Sequence, residues 1–321
     1  MSKPRIILLP GDRNGIGPEI LGKLLADPAC HQWADIEVMA DPGVLAAGGV
    51  PAAATAGYRL LPFSPEAEAP IEPGQATAAA GRECLAALSR AAQRLRDGEA
   101  DGLVFAPLNK QALHLGGLAQ ADEMRFLAHE LGHDGACGEL NVLAELWTTR
   151  VTSHIPLADV AGRITPGSVG QTIRFAHDSL VAAGRPAPRI AVAALNPHAG
   201  DGGNFGREEI EVIEPAVRRA VDDGIAAEGP FPSDTVFVRA RDGAFDCVVT
   251  MFHDQGQIAM KLLGFGQGVT VLGGLPLPIT TCGHGTAYDI VGTGQATDGA
   301  LRNALRICAA MAGNNQNGSA R

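Results

Sequence analysis

Short apolar runs alternate with longer stretches in which apolar residues recur every three or four positions, a pattern of strands and helices in turn. Residues 5–10 form an apolar strand that runs straight into Gly11-Asp12-Arg13-Asn14-Gly15-Ile16-Gly17-Pro18-Glu19. Pro18 suits the first turn of a helix and Glu19 its positive end, so a helix is expected through Leu25. Residues 36–40 read as a second strand, and 52–73, rich in Ala and Pro, as irregular structure. Residues 77–96 predict a helix with Leu85, Leu88, Ala92 and Leu95 on one face. Further strands are expected at 102–106, 140–146, 150–153, 189–195 and 246–252, the pair 140–146 and 150–153 forming a hairpin. Helices are expected at 170–183, 208–222 and 299–311, with a frayed polar end over 314–321. Such alternation predicts an α/β fold of mostly parallel sheets covered by helices.

Composition narrows the function. The chain has 321 residues, 46% hydrophobic and 19% charged, which is ordinary globular material with room for one or two domains. A formal charge of −10 and no basic run argue against nucleic acid as a partner. No stretch approaches the ~20 apolar residues of a membrane span, and the apolar run at the N-terminus is too short for a signal peptide. Cys30, Cys84, Cys137, Cys247, Cys282 and Cys308 form no CxxC pair and read as small core residues in a reducing compartment. A cytoplasmic enzyme without membrane contact is the expectation.

Ligands in open α/β sheets collect beyond the carboxyl ends of strands. That rule selects three of the nine histidines: His154 after 150–153, His198 after 189–195, and His253 after 246–252. Three imidazoles with open positions suit Zn²⁺ or a similar divalent ion. Taken singly, each is better read as satisfying nearby backbone groups; taken together, the two readings weigh about evenly. A second constellation is the glycine-dense run 283–294. There His284 and Thr286 can offer donors and the backbone of Gly285 and Ala287 can approach a ligand closely. A structural turn is its plainer reading. The glycine-rich run 200–206 could cradle an anion at a helix start. No Walker A loop and no GxGxxG behind the first strand are present, which disfavours a Rossmann dinucleotide site.

The ordered segments GDRNGIGPEI (11–20), APLNK (106–110), TSHIPL (152–157), LNPHAGDGGNFGREE (195–209), GPFPSDTVF (229–237), MFHDQG (251–256), GFGQGV (264–269) and HGTAYDIVGTGQA (284–296) resemble the 4-hydroxythreonine-4-phosphate dehydrogenase family. The first and last also resemble the wider isocitrate and isopropylmalate dehydrogenase group. The resemblance implies a two-domain fold with its active site in the interdomain cleft. It divides the chain into a cofactor-side domain, 1–120 plus 265–321, and a metal, substrate and dimerisation domain, 121–264. It further implies a homodimer that acts on a small acid at a shared site. NAD or NADP would bind through His284, Gly285, Thr286, Ala287 and Asp289. A divalent metal, Zn ahead of Mg, Mn or Co, would be held by His154, His198 and His253, the last supplied by the neighbouring subunit. Lys261 and Asp254 are the implied catalytic groups, and Lys261, Thr270, Arg125 and Asp234 the implied substrate contacts.

The resemblance fails at the phosphate grip. The His-Thr pair expected near 123–124 is Glu123-Met124, the arginine expected at 279 is Ile279, the asparagine expected at 270 is Thr270, and Gly283 replaces an Asp. Glu123 would repel a phosphate. The HDQGxIxxKLL segment and the GHG turn are similar to the terephthalate dihydrodiol dehydrogenase branch, whose substrates are cis-dihydrodiol carboxylates. The expectation is therefore an oxidative, decarboxylating dehydrogenase of a non-phosphorylated hydroxy acid. The alternatives are 4-hydroxythreonine-4-phosphate oxidation, a catalytically retired metabolite-binding relative, and a metal-dependent hydrolase.

Overall fold

A computed structural model describes residues 3–53 and 57–318. Its strands, in chain order, are β1 (Arg5–Leu9), β2 (Asp35–Ala40), β3 (Arg59–Pro62), β4 (Gly102–Phe105), β5 (Gly138–Leu143), β6 (Leu146–Arg150), β7 (Ile190–Ala193), β8 (Ala227–Phe231), β9 (Cys247–Thr250), β10 (Val269–Gly273) and β11 (Ile279–Cys282). The chain divides into two compact units, 1–138 with 266–321, and 139–265. Segment 121–138, assigned above to the metal and substrate domain, packs with the first unit: Met124, Leu127 and Leu131 join the same core as Ile7, Leu88 and Phe105.

In the first unit the strand order is β3-β2-β1-β4-β11-β10, parallel except for the β10/β11 pair. β4 and β11 are buried along their whole length, and β1 is buried from Ile6 to Leu9. That is why β1 and β4 read as unbroken apolar runs: a sheet covered on both faces has no solvent side to pattern. β11 is as buried but carries Thr280 and Thr281, whose hydroxyls donate to the Ala304 and Phe105 carbonyls, so no apolar run marks it. Helix α1 (Gly17–Ala26) starts, as expected, with Pro18 in its first turn. The helix expected at 77–96 forms as Ala78–Arg96, capped by the Thr77 hydroxyl, which accepts the Ala80 amide at 3.2 Å. Its residues Ala80, Cys84, Ala87, Leu88, Ala91 and Leu95 recur at helical spacing and are buried. Each leucine so buried contributes roughly 1.5–3 kcal/mol. The final helix, Gly299–Gly318, runs past Met311 into the segment expected to fray; residues 319–321 lie outside the described residues.

The second unit orders its strands β5-β6-β9-β7-β8, with β6, β9, β7 and β8 parallel. The hairpin expected from 140–146 and 150–153 exists, but its strands are β5 and β6, turning at Ala144, which takes φ 52°. Helix Pro166–Ala182 opens on a capping box in which Thr165 and Ser168 satisfy each other's amides. Residues 208–222 are not a uniform helix. A π turn, Glu209–Ile213, precedes the α-helix Glu214–Asp222. Pro215 has no amide to donate to Glu211, so the ladder opens there. Among the described residues no helix is long and apolar enough to cross a membrane.

Candidate active site

Two clusters gather the singled-out residues, one in each unit. In the first, the chain leaves β1 through a turn only glycine can make. Gly11 has φ +71°, and a Cβ there would sit 2.4 Å from the Ala106 carbonyl; at Gly17 it would fall 1.9 Å from the Pro10 carbonyl. The turn buries three polar side chains, Asp12, Arg13 and Asn14. Each has partners, as burial demands. Asp12 accepts the Asn14 amide at 2.9 Å and the Tyr288 hydroxyl at 2.5 Å. Asn14 donates to the Gln75 carbonyl at 2.9 Å and accepts the Glu72 amide at 2.7 Å. Arg13 donates to the Ala69 and Glu66 carbonyls and forms an ion pair with buried Glu83.

The run expected to hold the cofactor packs onto that turn. The Ile16 amide donates to the Thr286 carbonyl at 3.1 Å, and Thr286 is buried. Ala287 takes the left-handed φ of 44°, so the chain reverses and Tyr288 reaches Asp12. His284 Nδ1 contacts the Gly285 carbonyl at 3.0 Å, while Gly285 and Asp289 stay exposed. Lys23 donates to the Gly294 and Ala296 carbonyls at 2.7 and 2.5 Å and ties down the far end of the loop. Burial raises the Asp12 pKa above its ordinary value, against the opposing bonds from Tyr288 and Asn14. Burial, and then the Asp12 contact, raises the Tyr288 hydroxyl pKa as well. A hydrogen bond to a charged group is worth roughly 1.5–3 kcal/mol. Tyr288→Phe is therefore expected to destabilise the first unit by about 1.5–3 kcal/mol, as read by thermal unfolding.

The second unit positions the histidines. β6 and β9 are hydrogen-bonded neighbours, with Arg150 opposite Thr250 at their carboxyl ends. His154 and His253 leave those ends side by side, and their ring centroids are 5.4 Å apart. They line a cavity of about 210 Å³, open to solvent, together with Thr152, Ser153, Phe252 and Asp254. His253 Nδ1 lies 2.7 Å from the Asp254 carboxylate. Donation of the Nδ1 proton to that carboxylate leaves the Nε2 lone pair free for a ligand. His154 has φ 53°, a left-handed conformation costly for a β-carbon-bearing residue.

His198 stands apart from this pair. It follows β7 in a turn whose five residues 198–202 all have positive φ, between 45° and 77°. Its ring faces Phe205 at 6.3 Å. Three of the five are not glycine, which costs roughly 1–2 kcal/mol each. Among the described residues of one chain, no group of three His, Cys, Asp or Glu is close enough to hold a metal ion. In one chain His253 stands beside His154, and His198 does not join them in a group of three. Sequence reasoning missed Glu209, whose buried carboxylate accepts the amides of Leu195 and Asn196. It placed 208–209 only at the start of an expected helix, 208–222.

The substrate candidates fall in both units. Lys261 is exposed eight residues beyond His253 on helix His253–Gly264, and Asp234 is exposed in the first turn of helix Ser233–Arg241. In the first unit, Arg125 reaches the Cys137 sulfur at 3.4 Å, and Thr270 lies on β10 opposite Thr281. Met124 and Ile279 belong to one core cluster and are 8% and 0% exposed.

The sequence as a whole has known relatives. A family model described as "Pyridoxal phosphate biosynthetic protein PdxA" matches residues 31–308. A "Putative 4-hydroxythreonine-4-phosphate dehydrogenase 2" of Pseudomonas aeruginosa is 44% identical, with 97% of each chain covered. The crystal structure of a 4-hydroxythreonine-4-phosphate dehydrogenase from Klebsiella pneumoniae is 34% identical, covers 97% of this chain and 98% of its own, and superposes with a TM-score of 0.83. A terephthalate 1,2-cis-dihydrodiol dehydrogenase from Burkholderia xenovorans is 31% identical with a TM-score of 0.66, over 96% of this chain and 98% of its own. The chain belongs to the PdxA family, and with it to the NAD(P)-dependent dehydrogenases that act on a CH–OH group.

Proposed function

We propose that this enzyme oxidises the alcohol of a small, non-phosphorylated hydroxy acid, such as a cis-dihydrodiol carboxylate, using NAD and a divalent metal held by His154, His198 and His253. The observation that carries the substrate half is the fate of the phosphate-binding positions. Met124 and Ile279 are packed in the hydrophobic core of the first unit, and neither offers a donor. Glu123 adds a carboxylate with one buried oxygen that has no hydrogen-bond partner, an environment hostile to a phosphate dianion. Lys261 would instead meet the acid group of the substrate, with Asp234 of the same unit as a further polar contact.

An imidazole-rich donor set favours Zn²⁺, with Co²⁺, Mn²⁺ and Mg²⁺ as lesser fits. A metal held by these histidines would supply Lewis acidity, which would favour loss of the hydroxyl proton and of hydride to the nicotinamide, and would stabilise the enolate left if a β-carboxylate departed as CO₂. Asp254 fixes the His253 tautomer, and Lys261 counters the charge of the acid. His284, Gly285, Thr286 and Ala287 hold the adenosine end of the cofactor. Asp289 is exposed in that loop, and residues 283–298 contain no Lys or Arg, so a 2′-phosphate finds repulsion and NAD is preferred over NADP.

One chain gathers only two of the three histidines, which supports a site completed by a second copy. Exposed apolar side chains in the same unit fit a homodimer: Leu262 is 84% exposed and Ile258, one turn earlier, 58%. Leu262→Asp is expected to shift the sedimenting species from dimer to monomer; an unchanged dimer overturns this placement of the interface. The free cysteines, mostly buried, suit the cytoplasm.

The function is tested by turnover with two panels, cis-dihydrodiol carboxylates and 4-phosphorylated hydroxy acids, following the absorbance of reduced nicotinamide. Activity with the first panel is the expected result. Activity confined to the second makes this a 4-hydroxythreonine-4-phosphate dehydrogenase, the activity named for the Klebsiella enzyme, and overturns the substrate assignment.

A further inference from the structure

We propose that Glu209 is the positioning residue for His198: its buried carboxylate, bonded to the chain on the near side of the left-handed turn 198–202 and packed against its middle, holds that imidazole where a metal can use it. The inference rests on the metal reading above and names a residue which that reading does not use. Glu209 is 2% exposed. Its Oε1 accepts the amides of Leu195 at 2.9 Å and Asn196 at 2.7 Å, and its Oε2 accepts the Asn196 side-chain amide at 3.0 Å. The same Asn196 amide donates to Glu208 Oε2 at 2.7 Å. A Cβ on Gly200 would lie 2.7 Å from Glu209 Oε2, so the carboxylate fills the space under the turn.

The carboxylate therefore binds both residues that precede Pro197-His198 and abuts the residue two places after the histidine. Without it, two part-buried backbone amides lose their acceptor and a run of left-handed residues loses its support. The π turn that begins at Glu209 belongs to the same device: its wider ladder, forced by Pro215, sets where the first carboxylate of the helix points. Such outer-shell partners of a ligating histidine typically change metal affinity by about 10–100-fold.

The test uses the full-length, metal-free protein and Co²⁺ as probe, followed by titration calorimetry and the visible ligand-field bands of the ion. Glu209→Ala is expected to weaken Co²⁺ binding at the histidine site about 10–100-fold. Glu209→Gln, which keeps one acceptor oxygen for the two amides, is expected to lose less. Glu211→Gln, an exposed carboxylate on the same turn paired with Arg207, should bind as the native protein does. NAD affinity should be unchanged in all three. If Glu209→Gln and Glu209→Ala fold and bind Co²⁺ with native affinity, or Glu211→Gln weakens binding equally, the assignment is overturned while the metal site stands. If Glu209→Gln fails to fold, the residue is structural and the assignment is overturned too. A native protein without ligand-field bands removes the metal reading itself, and this inference with it.

Discussion

His253→Ala is expected to lose turnover by about a thousandfold or more and to take up Co²⁺ no longer, while its affinity for NAD should stay native. The size follows from what the imidazole supports: Lewis-acid polarisation is worth several kcal/mol, and about 4 kcal/mol of transition-state stabilisation corresponds to three orders of magnitude. The ring stands 5.4 Å from that of His154 with its Nδ1 held by Asp254, so its loss leaves one histidine of the pair and an orphaned carboxylate. Asp254→Asn should be milder, about 10–100-fold in metal affinity, because it disturbs orientation and leaves the ligand atom in place. The separation of the two effects is informative, since the loop 284–289 belongs to the other unit. Retention of both metal and turnover in His253→Ala, measured by metal analysis and cofactor reduction, removes the histidine from the mechanism.

Arg13→Ala is expected to be the most destabilising single change in the first unit. Arg13 and Glu83 are 5% and 7% exposed and face each other as an ion pair. Removal of one partner from a buried pair costs about 3–5 kcal/mol because the other charge is left uncompensated. For a unit of this size that is a fall of roughly 6–20 °C in Tm. The loss depends on pH. Burial already pushes the Glu83 carboxyl up to about 7, against the pull of Arg13, with Asp41 and Asp12 pushing the same way. A raised folded-state pKa means that the folded chain holds the proton more tightly than the unfolded one. The resulting stability is present at low pH and is lost as pH rises through the shifted value. Without Arg13 that value climbs further. The variant should suffer least near pH 5 and most near about pH 8. Arg13→Ala combined with Glu83→Ala should be more stable than Arg13→Ala alone at the higher pH. Thermal unfolding at both pH values decides it; an equal loss at each would mean that the carbonyl contacts of Arg13, and not its charge, hold the turn.

The parts of the fold that were legible are those buried on both faces. β1, β4, β7 and β9 read as apolar runs because helices cover their sheets on either side. β3 and β8 were missed for the same reason reversed: they are edge strands, exposed or half-buried along much of their length, so no apolar run marks them. β10 and β11 were missed although they are buried, because Thr270, Thr280 and Thr281 interrupt their apolar residues. The register of the β5/β6 hairpin was misjudged because its turn uses Ala144 and Glu145, which carry no turn signal. The strand-end rule selected His154 and His253, which stand side by side, and also His198, which forms no group of three with them. It could not find the bond between Asp12 and Tyr288, 276 residues apart, or the reach of Glu209 back to Leu195, because neither has a local pattern.

The parallel pairing of β6 with β9 carries one further consequence. The two imidazoles are spaced by the sheet ladder itself, so loss or gain of a single residue within 146–150 would swing His154 to the opposite side of the pleat and part it from His253. Insertions and deletions are therefore expected to be tolerated only outside these two strands, where they leave the distance between the two rings unchanged.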